Sequence, residues 1–166
     1  MNTQDITVLF GYNEWASRLI LDAAERVPAQ QYAQAQLGYC RLHDTLVHLV
    51  AAERRWRERW QDLPNAPMLA PAVVPSLAAL RHELATDQRL MRAYLAGLSD
   101  ADLAREFDYQ RLDGTPITNT LWHTLAHLVN HGTQHRAELA LLLTELGCSP
   151  GNLDLVIYVR ELGQAQ

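Results

Sequence analysis

The stretch Leu121-Trp122-His123-Thr124-Leu125-Ala126-His127-Leu128-Val129-Asn130-His131-Gly132-Thr133-Gln134-His135-Arg136 decides how this chain is read. Its leucines recur at helical spacing, and its histidines stand at i, i+4, i+8 and i+12. Residues four apart share one face of a helix, so each neighbouring pair of imidazoles can reach one metal ion. The helical wheel separates the pairs. Leu121, Leu125, Leu128, Leu139, Leu142 and Leu146 mark the core face. Measured from Leu128, His135 lies about 20° off that face and His131 about 60°, His127 about 100° and His123 about 140°. His131 and His135 therefore point inward, with Gly132 beside them, and His123 faces water. Two imidazoles aimed at an apolar interior must be paired. A metal is one way to pair them; hydrogen bonds to polar neighbours or water are another.

Outward from this stretch the pattern stays helical. A first helix is expected over Asp5 to Val27, closed by Pro28, with Leu9, Tyr12, Ala16, Leu19, Ile20 and Ala23 as its apolar stripe. A second runs from Arg41 to Asp62, with Leu42, Leu46, Leu49, Trp56 and Trp60 on one face. Leu63 to Pro75 is proline-rich and reads as a loop. A third helix starts at Ser76 as N-cap and ends near Gly97, and Ser99 caps a short turn over Asp100 to Arg105. Glu106 to Thr118 reads as a hairpin around Asp113-Gly114. The last long helix is expected from a cap at Thr118 or Asn119 to Gly147, followed by a short helix over Leu153 to Leu162. The fold class is all-α: a four-helix bundle with a hairpin-like connection before its last long helix and a short C-terminal helix. Residues 1–166 form one domain on this reading.

The composition sets the outer limits. The chain has 166 residues, a net charge of −5, 48% hydrophobic residues, two cysteines and seven histidines. Such a chain builds a core without needing a disulfide or a metal to fold. The acidic balance supplies no footprint for nucleic acid. Met1 to Phe10 lacks a basic region followed by an apolar stretch, so no signal peptide is expected. The apolar run Leu139 to Leu143 is far too short to cross a membrane. Cys40 and Cys148 form no CxxC pair and read as free thiols of a cytoplasmic protein. Three tempting motifs fail. His131 to His135 lacks the glutamate of H-E-x-x-H. Gly147-Cys148-Ser149-Pro150-Gly151 follows a helix rather than a strand and reads as a helix cap and turn. The run Glu53 to Trp60, with tryptophans on the core stripe, reads as a solvated arginine face.

A catalytic metal site of the zinc type takes three protein ligands and leaves a position open. His43 and His48 on the second helix lie about 140° apart and cannot both face one ion. His48 has small neighbours in Thr45 and Ala52 and is preferred, the other reading being a histidine at the edge of the apolar stripe. His43, His82 and His123 read as surface histidines. Glu53 falls near the core face, where an acid is either ion-paired or functional. His127, beside the inward pair, is a further candidate to support the ligands.

The blocks along the chain resemble the DinB-like (DinB/YfiT) family of metal-binding four-helix-bundle proteins. Tyr12-Asn13-Glu14-Trp15-Ala16 is similar to its Y-N-x-W-A signature. His48, Glu53 and Trp56 match H-x-x-x-x-[DE]-x-x-W, and His127 to Arg136 match H-x-x-N-H-x-x-x-H-R. Asp154 to Glu161 resembles the family's closing D-hydrophobic-Y-hydrophobic-R-E. The resemblance implies a metal held by His48, His131 and His135, with Glu53, His127 and Arg136 as supporting residues. It implies a divalent ion (zinc, nickel or iron), a small-molecule substrate, a low-molecular-weight thiol as co-substrate, and a homodimer. It implies an enzyme of the thiol S-transferase or hydrolase type, or else a non-catalytic metal-binding or interaction module. It does not imply nucleic-acid or membrane binding. The family block often continues H-R-G-Q, whereas here Ala137 and Glu138 follow Arg136.

Overall fold

The computed structural model describes residues 1–64, 66–111 and 113–164. Its long helices are α1 (Thr3–Glu25), α3 (Leu42–Trp60), α4 (Leu77–Ala96) and α6 (Leu121–Glu145). Short pieces connect them. The helical turn α2 (Ala29–Tyr32) and the two-residue strands β1 (Gln36–Leu37) and β2 (Cys40–Arg41) lie between α1 and α3. The turn α5 (Asp100–Leu103), then β3 (Glu106–Gln110) and β4 (Pro116–Thr120), lie between α4 and α6. The helix α7 (Leu155–Gln164) ends the described chain. The architecture is mostly helical, as the spacing of apolar residues predicts. The helix α1 packs on α6 and α4, and α3 packs on α4 and α6.

Local chemistry sets the boundaries. Asn2 and Asp5 form a capping box that starts α1 earlier than the expected Asp5. Ser76 caps α4 and Ser99 caps α5, both as expected. Gly147, at φ +74°, closes α6. The Cys148 N–H donates to the Leu143 carbonyl at 2.8 Å and the Gly147 N–H to Thr144 at 2.9 Å, which is a Schellman cap. The G-x-S-x-G lookalike is thus a helix cap, and Cys148 and Cys40 are both free and buried.

Some expectations need correction. Thr118 and Asn119 do not cap α6: they pair with Asp108 and Phe107 in the hairpin, and Thr120 takes the cap position. Strand pairing, with the Thr118 hydroxyl donating to Asp108 at 2.7 Å, competes with helix initiation and prevails. The α1–α3 link, read only as a connection, folds into α2 and a tight hairpin turning at Gly38, φ +58°. The expected loop over Leu63 to Pro75 contains a 3-10 turn at Pro71–Val73. Asn65 of that loop and Leu112 of the expected hairpin lie outside the described residues. The arginine face is not solvated throughout: Arg55 and Arg57 are buried. Asp87, also buried on α4, draws Arg57 inward at 3.0 Å and Arg54 at 2.6 Å.

Buried apolar residues form two clusters. One joins Ile20, Leu46, Val50, Leu80, Leu139 and Leu143. The other joins Phe10, Ala16, Trp60, Met91, Leu121 and Leu125. Near the changeover from one to the other along three helices fall the buried polar residues Asn13 and Ser17 of α1, Glu53 of α3 and Arg136 of α6. The tail folds back on α1: Tyr158 lies 6.3 Å from the Tyr12 ring and 5.8 Å from Trp15. The Trp15 indole N–H donates to Glu161 at 2.9 Å. A side chain at Gly11 would collide with the Tyr158 hydroxyl, 2.1 Å from the position of a Cβ.

Candidate metal centre

Helices α3 and α6 bring His48, His131 and His135 together. One ligand nitrogen from each lies within 4.8 Å of the others. The Nε2 atoms of His48 and His131 are 3.3 Å apart. The ring centroids are separated by 5.1 Å (His48 to His131), 4.8 Å (His48 to His135) and 4.6 Å (His131 to His135). The i, i+4 spacing on α6 stacks two rings a turn apart, and α3 supplies the third from the facing helix.

The surroundings favour the neutral imidazole, the form that binds metals. Burial pushes His131 down to about 4, helped by the charges of His135, His48 and His127. His48 is lowered by burial and then by His135. His135 Nδ1 sits 2.8 Å from a Glu138 carboxylate oxygen. A carboxylate there fixes the ring and leaves Nε2 with its lone pair available. His131 Nδ1 is buried without a hydrogen-bond partner among the described residues, so its ring is held by packing against the other imidazoles. Three imidazole nitrogens within 4.8 Å of one another are a donor set suited to a transition-metal ion.

A cleft of about 660 Å³ opens at this cluster. His48, His135, Glu138, Thr45, Tyr39 and Leu141 are among its walls. Tyr39, fully exposed at the tip of the β1–β2 turn, and Leu141 give it apolar surface.

The other expected residues fall nearby in different roles. His127 is exposed, 5.9 Å from the His131 ring and 5.5 Å from Trp56. Glu53 and Arg136 belong to a buried network one layer in. The Asn13 amide donates to Glu53 at 2.7 Å, and its carbonyl oxygen accepts from Arg136 at 2.5 Å. Arg136 also donates to Thr133 at 3.2 Å and lies over the Tyr12 ring at 5.4 Å. Burial pushes the Glu53 carboxyl up to about 7, against the lowering influence of Asn13 and Arg136. The space beside Gly132 is taken by this network: a Cβ there would stand 2.7 Å from Arg136 Nη1 and 2.8 Å from Asn13 Oδ1.

The surface reading of His43 is wrong. It is half-buried, 2.9 Å from the Tyr32 hydroxyl and 2.7 Å from the Val74 carbonyl. Both ring nitrogens are thereby engaged away from the cluster. His82 and His123 are exposed, as expected. Glu138 and Asn13 were not singled out as site residues by sequence reasoning. Glu138 stands three residues after His135, a spacing that places the two side chains together. Asn13 is a polar residue inside the α1 apolar stripe.

The blocks quoted from the sequence meet in space: the Tyr12–Ala16 block packs under the Asp154–Glu161 block, and the His48 and His127–Arg136 blocks form the cluster. The chain is similar to Protein DinB of Bacillus subtilis (strain 168), with 26% identity over 157 residues that cover 91% of each chain. The model of the DinB family matches residues 1–164, and the chain therefore belongs to the DinB family.

Proposed function

We propose that this protein binds a divalent metal ion through His48, His131 and His135 and uses it as an enzyme of the thiol S-transferase or hydrolase type on a small molecule. The observation that carries the reading is the convergence of three imidazole nitrogens within 4.8 Å, with His48 and His135 on the wall of an open cleft. Zinc, nickel and iron all suit such a set. When bound, the ion supplies Lewis-acid chemistry that lowers the pKa of a thiol or water at its open position. The residues of the chain do the rest. Glu138 orients His135, and the apolar contacts of His127 with Trp56 steady the next turn of α6. Tyr39 and Leu141 offer apolar surface to the carbon skeleton of the substrate. Cys40 lines the cleft, but burial pushes its thiol pKa up and it accepts from the Thr45 hydroxyl at 3.6 Å, so a reacting thiol would arrive as a low-molecular-weight co-substrate. The same reading makes residues 1–166 one metal-binding domain of a cytoplasmic homodimer.

The test is turnover by metal-loaded protein on a panel of thiols with electrophiles and of esters. The expected result is activity that His135→Ala abolishes while the fold, judged by circular dichroism, remains. Stoichiometric metal without turnover across the panel would favour a binding module over an enzyme.

A further inference from the structure

A second cleft, of about 600 Å³, lies at the C-terminal turns of α3 and the β3–β4 turn, lined by Arg55, Arg59, Arg111, Met68, Gln110 and Gly114 among others. None of the lining residues is acidic, although the chain as a whole carries a net charge of −5. The arginine run of α3 is divided. Arg54 and Arg57 meet the carboxylates of Glu83 and Asp87. Arg59 meets none among the described residues: it lies over the Trp56 ring at 5.0 Å and the Tyr109 ring at 4.6 Å, and donates to the Gln110 carbonyl at 3.3 Å. Its Nε is buried without a hydrogen-bond partner among the described residues. Arg111, exposed beside the hairpin turn, has no carboxylate within ion-pair distance among the described residues. The nearby Asp113 carboxylate accepts from the Thr115 N–H at 3.0 Å and feels the Arg111 charge only as a minor influence. Arg55, buried on the same wall, donates to the Ala66 carbonyl at 2.5 Å. The rings under Arg59 hold its guanidinium in place, so less freedom is lost when an anion binds.

We propose that Arg59 and Arg111, in the cleft that Arg55 also lines, form a binding site for an oxyanion-bearing small molecule, a phosphate or a carboxylate. The forked guanidinium matches both groups. Arg59 follows His48 by eleven residues on α3, about 16 Å along the helix. The site is thus separate from the histidine cluster and does not depend on the metal.

The experiment is isothermal titration of the full-length protein with inorganic phosphate, and separately with succinate, at constant ionic strength. Saturable binding is expected for at least one of them, weakened at least tenfold in Arg111→Gln and abolished in the Arg59→Gln, Arg111→Gln double variant. Arg18→Gln on α1, remote from the cleft, should bind as the parent does. Tighter phosphate binding identifies a phosphate ligand; tighter succinate binding identifies a carboxylate. If the double variant fails to fold, Arg111→Gln decides alone, because its side chain is exposed. No saturable binding of either anion, or equal binding by Arg111→Gln, would overturn the proposal.

Discussion

Gly132 carries a prediction that opposes simple helix propensity. Alanine is favoured over glycine inside a helix by about 1 kcal/mol. Here a Cβ would meet a buried guanidinium and the amide it is bonded to, at 2.7 and 2.8 Å. Overpacking typically costs about 1–3 kcal/mol, so Gly132→Ala should lower the urea midpoint. A midpoint raised by the propensity gain would mean that Arg136 moves aside freely. Glu53 gives a pH dependence. Its carboxyl is raised by burial from an ordinary 4.5 to about 7 in the folded protein. Between those values the folded state holds a proton that the unfolded chain releases. The stabilisation is therefore complete below about pH 4.5 and lost as pH rises to about 7, by up to about 1.4 kcal/mol per pH unit. Stability measured from pH 5 to 8 should fall in the parent relative to Glu53→Gln, which cannot titrate. Parallel curves would show that the carboxyl is ordinary. Glu138→Ala should weaken metal binding by about 10- to 100-fold, the usual effect of removing a carboxylate that orients a histidine ligand. Competition with a chelator measures this, and unchanged affinity would deny Glu138 the role.

Among the elements, α6 does the most. It supplies two of the three clustered histidines, the buried Arg136 and the Glu138 carboxylate, and it ends in a full Schellman cap. Gly147 at φ +74° makes that cap possible. Gly147→Ala should cost about 1–2 kcal/mol, the penalty of a Cβ in the left-handed region, and thermal denaturation would register it. A variant as stable as the parent would show that the helix end repacks at no cost. This helix was also the most legible in the sequence, because twenty-five residues of regular spacing leave the inward face unambiguous. Its start was less legible: Thr118 and Asn119 suit both a cap and a strand, and only pairing with β3 across the hairpin decides between them. The same limit applied to His43 and to the buried arginines. The partners of His43 (Tyr32 and Val74) and of Arg57 (Asp87) lie on other elements, 11, 31 and 30 residues away, and helical spacing carries no information about them. His48 was legible from its small neighbours, whereas the Asn13 bridge between Glu53 and Arg136 spans three helices and is visible only once they pack.

In the whole molecule, two apolar clusters hold the helices together, and buried polar side chains fall near the changeover between them along the helices. The Asn13, Glu53 and Arg136 network ties α1, α3 and α6 to one another. That tie fixes the relative position of the two helices that carry the histidines. A bound ion would add a second link between α3 and α6 present only in the folded state. At a hundredfold excess over the dissociation constant, such a ligand stabilises the fold by about 2.7 kcal/mol. The melting temperature should accordingly rise with added zinc or nickel in the parent and stay constant in His131→Ala. The central claim rests on the three histidines acting as one site, and metal content tests it most directly. Protein produced without a histidine tag should carry one divalent ion per chain by mass spectrometry. His48→Ala, His131→Ala and His135→Ala, each folded, should lose it. Stoichiometric metal retained in His48→Ala and His131→Ala would contradict the account.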